Sequence, residues 1–195
     1  MRINKRSIVF LLLAASVLCF SSCASRAAVR ETRPYVWLTN NAKFILLPPA
    51  YIETPLDHQQ LISASFQGRN YQMAAWVKAN ETGIDMTLMS ELGATVGELF
   101  FRDGAVSFSS PLFPRAIGGE HIIADFQLSF YNAAALASAL EAGGLTFEEA
   151  GTARRVFEGG TLIVEIERSR TVVRLVNHLR GYSLTLEGDF ERDFE

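Results

Sequence analysis

"LISASFQGRNYQMAAWVKANETGIDMTLMS", residues 61–90, decides the fold. Two strand-like runs, "LISASF" and "YQMAAWV", flank a short polar segment, Gln67 to Asn70, that contains a glycine. Glycine and asparagine supply the backbone freedom that a tight hairpin turn requires. In the second run Tyr71, Met73, Ala75 and Val77 fall on one face, and Gln72, Ala74, Trp76 and Lys78 on the other. "NETG" turns the chain again, and Ile84, Met86 and Leu88 then alternate with Asp85 and Thr87. Consecutive short strands joined by tight turns predict an antiparallel sheet.

The same rhythm continues outward. "ELGA" interrupts, "TVGELFF" resumes, "RDG" turns and "AVSFS" follows; later come "LTFEEA", "ARRVFE", "TLIVEIER", "TVVRLVN" and "YSLTLEGDF". "NAAALASALEAGG" is the clearest helix: Asn132 can cap it, Leu136 and Leu140 lie one turn apart, and Gly143 can end it. "HIIADFQLSFY" stays open between strand and helix, because Phe126, Leu128 and Phe130 alternate. "SPLFPRAIGGE" reads as a loop. Residues 35–57 contain Pro48, Pro49 and Pro55, which exclude a continuous helix, and read as a segment covering the fold. The expected class is α+β, mainly antiparallel β, in a single domain over residues 35–195.

The N-terminus has a separate logic. Arg2, Lys5 and Arg6 precede an apolar run from Ile8 to Leu18, the layout of a secretory signal. The run is too short to span a bilayer as a helix, which takes about 20 apolar residues. Both cysteines, Cys19 and Cys23, follow it. "FSSC" is similar to a bacterial lipobox, with an apolar residue three before the cysteine and small residues between, whereas "SVLC" puts bulky Leu18 at the cleavage position. The expectation is a signal peptide over residues 1–22, lipidation of Cys23, and a tether over residues 23–34. The resemblance to Gram-negative lipoproteins, in which a residue other than Asp after the cysteine goes with the outer membrane, implies from Ala24 an outer-membrane lipoprotein facing the periplasm. A Cys19–Cys23 disulfide would lie in a discarded peptide, and His58, His121 and His178 are not paired at metal-ligand spacing.

Composition excludes other classes. Of 195 residues, 49% are apolar and 20% charged, as in a folded domain. The net charge is −3, with no basic cluster to neutralise phosphates, so nucleic-acid binding is not expected. There is no G-x-S-x-G elbow, phosphate loop, dinucleotide fingerprint or H-E-x-x-H pair. No catalytic site, metal or cofactor is therefore expected. Asp125 reads as a strand-end or capping carboxylate, and Arg154 and Arg155 as a solvated or salt-bridged strand edge.

Fourteen phenylalanines, two tryptophans and four methionines supply large apolar groups. Met73, Met86 and Met89 fall on adjacent predicted strands, and methionine-rich surfaces repack around varied apolar ligands. Two readings stay open: an ordinary packed core, or a cavity on the concave side of a sheet that one helix cannot fill. The candidate lining residues are Met73, Val77, Met86, Leu88, Phe100, Phe126, Leu128, Phe130, Leu136, Leu140, Val164 and Leu184.

Residues 59–109, with "GIDMTLMSELGATVGELFFRDGAVSF", resemble the LolA/LolB group of lipoprotein carriers. That resemblance implies a half-open β-barrel with a helix lid, and an apolar interior that accepts acyl chains. It also implies a membrane-inserting leucine in a Leu-Gly turn, which falls on Leu92-Gly93; Glu91 stands where that group has proline. The competing reading packs Leu92 into the core at a strand end. "ADFQLSFYNAAALASALEAGGL", "ARRVF", "IVEIER" and "NHLRGYSLTLE" resemble an uncharacterised lipoprotein family that accompanies aryl-polyene and similar fatty-acid-like biosynthesis clusters. Tyr131-Asn132 stands where that family has an aromatic-proline pair.

The resulting expectation is a non-enzymatic outer-membrane lipoprotein. It binds a lipid or an acyl or polyene chain and aids its delivery, with a periplasmic LolA-like carrier as a possible partner. The alternatives are an envelope scaffold without a ligand and an acyl-chain-processing enzyme.

Overall fold

The computed structural model of this chain describes residues 33–111 and 118–190. The expected signal segment, Cys23, most of the expected tether and the central part of the loop at 110–120 lie outside the described residues. Residues 33 to 195 cluster as one compact unit.

Among the described residues twelve strands form in chain order: β1 (Tyr35–Trp37), β2 (Lys43–Ile45), β3 (Leu56–Phe66), β4 (Arg69–Asn80), β5 (Gly83–Met89), β6 (Thr95–Arg102), β7 (Ala105–Ser109), β8 (Thr146–Ala150), β9 (Ala153–Glu158), β10 (Thr161–Arg168), β11 (Val172–Asn177) and β12 (Tyr182–Glu187). Ten of them build one sheet in the order β7-β6-β5-β4-β3-β12-β11-β10-β9-β8, and β1 with β2 makes a separate hairpin. All pairings are antiparallel, and β7 and β8 are not paired with each other, so the sheet is open. The expected α+β class with a half-open sheet and helices is what forms.

The opening hairpin shows why. Phe66 pairs with Arg69, so the β3–β4 turn has two residues, Gln67 and Gly68, both at positive φ (51° and 73°). That is the turn whose twist matches paired strands. Asp103 and Gly104 repeat it between β6 and β7. The alternation holds: Ala75 and Val77 are buried, while Trp76 is 48% exposed.

Register sorts the turns into two ends. Turns 67–68, 90–94, 159–160 and 178–181 lie at one end, called here the upper. Turns 81–82, 103–104, 151–152 and 169–171 lie at the lower end.

Two helices pack on the inner face, α1 (Gly119–Phe130) and α2 (Ala133–Ala142). The segment 121–131, open between strand and helix from its pattern, is thus almost wholly α1. Its alternation is uninformative because the helix is covered nearly all round: from Ile123 to Phe130 every residue is buried but Asp125, which is half-buried with its carboxylate turned inward onto Tyr182. Phe126 and Phe130, one turn apart, stack with ring centroids 4.9 Å apart. Asn132 caps α2 by accepting from the Ala135 N–H at 3.1 Å. A single helix on the concave side was expected; two are present, together with the covering segment.

That segment contributes β1, β2 and a 3-10 turn, Pro49–Tyr51. Buried Gln127 of α1 acts as a backbone surrogate for it: its Oε1 accepts from Leu47 N–H at 2.9 Å and its Nε2 donates to the Leu47 carbonyl at 2.8 Å. Val36, Leu38, Phe44 and Leu46 enter the core beneath. Gly143 ends α2 where a Cβ would collide with the Lys43 carbonyl oxygen of β2. A Gly143→Ala variant should lose about 1–3 kcal/mol in urea unfolding, the usual cost of overpacking. Gly144 (φ +83°), not Gly143, takes the left-handed conformation after the helix.

The lower end is closed. Phe190 is fully buried, its ring 5.6 Å from Phe130 and 5.4 Å from His58, and its N–H donates to the Arg170 carbonyl. The strand-like link Ile52–Tyr131 and the Glu53 N–H to Phe130 carbonyl bond tie the covering segment to the α1–α2 junction.

Candidate functional site

Burial of the inner face falls from the lower end to the upper. Leu56, Ala79, Ile84 and Phe101, toward the lower end, are at most 3% exposed. Toward the upper end of β3, β4 and β12, Ile62, Ala64, Phe66, Met73, Tyr182 and Leu184 are only half-buried, and Tyr71 is exposed. Cross-strand pairs bring these groups together: Ile62 with Met73, Ala64 with both Tyr71 and Leu184, and Phe66 with Tyr182. These side chains therefore leave a partly uncovered apolar patch of the inner face at the upper end, called here the mouth.

The lining candidates divide accordingly. Met73 and Leu184 stand in the mouth. Val77, Met86, Leu88, Phe126, Leu128, Phe130, Leu136, Leu140 and Val164 are buried in one continuous core cluster. Phe100 is a correction: it is 40% exposed and faces outward, because Leu99 and Phe101 take the inward positions opposite Met86 and Ile84. In the run "LFF" only the register against β5 decides which phenylalanine faces in. A surface depression of ≈ 520 Å³ lies at the lower end, lined by Ala50, Ile52, Pro55, Asn80, Glu81 and Thr82. None of the lining candidates borders it.

Leu92 is on the upper rim and 96% exposed, which removes the reading that tucks it into the core. Its turn is held firmly. Ser90 N–H donates to the Ala94 carbonyl, Gly93 N–H to the Ser90 carbonyl, and Ala94 N–H to Ser90 Oγ. Gly93 sits at φ +77°, a conformation that favours glycine. The loop presents an apolar side chain to solvent on a built support.

Beside the mouth lies a polar cluster around Asp125, which stands in the middle of α1 and not at the strand end or helix cap expected of it. Tyr182 Oη donates to both carboxylate oxygens of Asp125 at 2.9 Å, and Asn177 Nδ2 donates to Tyr182 Oη at 3.4 Å. Burial pushes the Asp125 carboxyl up to about 7, against the hydrogen bond from Tyr182 and the charge of Arg180. Burial and Arg180 together lower the neighbouring His121 imidazole, whose Nδ1 has no hydrogen-bond partner among the described residues. Asp125 keeps its proton in the folded state between its unfolded value of about 3.9 and its folded value near 7. Its contribution to stability is therefore greatest below about pH 4 and is lost as pH rises through 7. An Asp125→Asn variant should flatten this slope and gain about 2 kcal/mol relative to the parent at pH 8, read by urea titration at pH 5 and 8.

At the lower end Arg154 and Arg168 hold the layers together. Arg154, fully buried, donates to Glu149 and to Glu53 at 2.8 Å each and to the Leu128 carbonyl at 3.0 Å. Arg168 donates to Glu53, Glu149 and the Ser129 carbonyl. The two cations thus meet the negative end of the α1 dipole and two carboxylates. Of the sequence alternatives for Arg154, the salt-bridged one holds and the solvated one fails. Arg155 pairs with Glu165 at 2.9 Å on the exposed side.

Among the described residues no group of three or more His, Cys, Asp or Glu side chains is placed to hold a metal. Among them, too, no helix is long and apolar enough to cross a membrane.

Fold and site together are an open ten-stranded antiparallel sheet with two helices on its inner face, tied at the lower end by an ion network and buried phenylalanines and left partly uncovered at the upper end. The chain belongs to the family described as "Protein of unknown function (DUF3261)", whose model matches residues 57–188. No curated protein matches it.

Proposed function

We propose that this protein is a non-enzymatic outer-membrane lipoprotein, anchored through Cys23 on the periplasmic face, that handles an amphipathic lipid or lipid-linked product. The acyl or polyene chain enters the concave apolar face through the upper mouth and passes to the membrane. A LolA-like periplasmic carrier would hand it over. The observation that carries this reading is the coincidence, at one end of the sheet, of the half-buried mouth with the exposed Leu92. Each CH₂ taken from water contributes about 0.8 kcal/mol, so a chain of modest length gains enough to leave water. Bilayer lipid offers the chain an equally apolar alternative, which permits release.

The test is titration with a fluorescent fatty acid. The expected result is saturable binding that Met73→Asp or Leu184→Asp weakens by at least about tenfold, since an unpaired buried charge costs more than ~1.4 kcal/mol. Binding that is absent, or indifferent to both substitutions, overturns the proposal.

A second reading, an envelope scaffold without a ligand, draws on the complete burial of Leu128, Leu136 and Leu140. It predicts no saturable binding in the same titration.

A further inference from the structure

We propose that the outward face of the β1–β2 hairpin is a membrane-docking surface that seats the open rim on phospholipid headgroups. The inference rests on the membrane-anchored reading and adds a surface that the reading does not contain.

The hairpin is too short to bury both faces. Val36 and Phe44 point into the core, at 2% and 0% exposed. The opposite face carries Tyr35 (45%), Trp37 (43%) and Ile45 (44%), with Lys43 beside them. Register puts Tyr35 opposite Ile45 and Trp37 opposite Lys43. The Lys43 ammonium lies 4.5 Å from the Tyr35 ring centroid and 4.6 Å from that of Trp37, and the two rings meet edge to face. A cluster of tryptophan, tyrosine and lysine with one aliphatic side chain suits the headgroup zone of a bilayer. There the rings sit in the apolar–polar boundary and the ammonium reaches lipid phosphate.

The position agrees. Thr39, between the hairpin strands, donates to Glu158 at 2.7 Å, and Arg180 donates to the Trp37 carbonyl. Both partners belong to the upper end, the end that carries Leu92 and the exposed Leu179. Charges of both signs stand at this end: Lys43, Arg69 and Arg180 can meet phosphate, while Glu91, Glu120, Glu141 and Glu158 oppose them, the last already bonded to Thr39. Twelve positions separate Cys23 from Tyr35. Fully extended, that length reaches at most about 40 Å, so an acylated Cys23 keeps the hairpin close to the bilayer that holds it.

The two tryptophans allow a direct test. Full chains as purified, carrying Trp76→Phe or Trp37→Phe, are mixed with phosphatidylethanolamine–phosphatidylglycerol vesicles, with and without brominated acyl chains. Trp37 is expected to lose iodide access and to be quenched by the brominated lipid. Trp76, on the outward face of the sheet, is expected to stay open to iodide. Trp37 remaining as iodide-accessible as Trp76 overturns the docking surface, and so does its protection without vesicles, which would mean a protein partner or a second copy. The mass of the N-terminal peptide separates the two claims. Acylated Cys23 with a water-exposed Trp37 defeats the docking surface alone. Unacylated Cys23 with a lipid-quenched Trp37 defeats the anchor alone.

Discussion

Replacing Arg154 with alanine is expected to remove about 3–5 kcal/mol of stability, the usual loss when one partner of a buried ion network is deleted. The cost comes from what remains. Glu53 and Glu149 lose their shared buried cation, and the Leu128 carbonyl at the end of α1 loses its donor. Arg168 stays in contact with both carboxylates, so the network weakens without vanishing. At about 2–4 °C per kcal/mol for a chain of this size, the melting temperature should fall by roughly 10 °C. Arg155→Ala is the control: its pair with Glu165 is only part-buried and reaches solvent on both sides, and a change within about 1 kcal/mol is expected. Equal losses for the two variants would mean that the buried network does not bind the layers together.

Leu92→Glu should have the opposite profile, a large loss of function on an intact fold. A side chain that is 96% exposed contributes little to packing, so thermal unfolding should shift by no more than about 0.5 kcal/mol. Inserting leucine into lipid gains about 1.5–3 kcal/mol, and a carboxylate forfeits that and adds a desolvation cost. Transfer of a fluorescent acyl lipid from loaded protein to acceptor vesicles should slow by at least about tenfold. Unchanged transfer by a folded Leu92→Glu protein would dismiss the inserting role. A Leu92→Phe variant keeps an apolar tip and should transfer at close to the parent rate.

Much of this molecule was legible from residue order alone. The hairpins from Gln67–Gly68 to Asp103–Gly104 follow from alternation and from the residue types that accept positive φ. The α2 boundaries follow from Asn132 and the glycine pair. α1 was not legible as a helix, because burial between the sheet and the covering segment erases the polar stripe that reveals a period of 3.6. Phe100 was misplaced because an unbroken apolar run carries no phase. Arg154 resisted for a different reason: its Glu53 partner is 101 positions away, and only the folded chain brings them together. The mouth itself emerges from partial burial at the upper ends of β3, β4 and β12, a tertiary property with no local signal. Leu92 showed in the Leu-Gly turn, but exposure had to be read from the structure.

Mass spectrometry of protein extracted natively from its own membrane decides whether this fold carries a lipid. The expected result is an acylated Cys23 and a stoichiometric, non-covalent acyl- or polyene-bearing lipid that Met73→Asp releases. Acylated protein that carries no such lipid, and takes none up when it is offered, would contradict it.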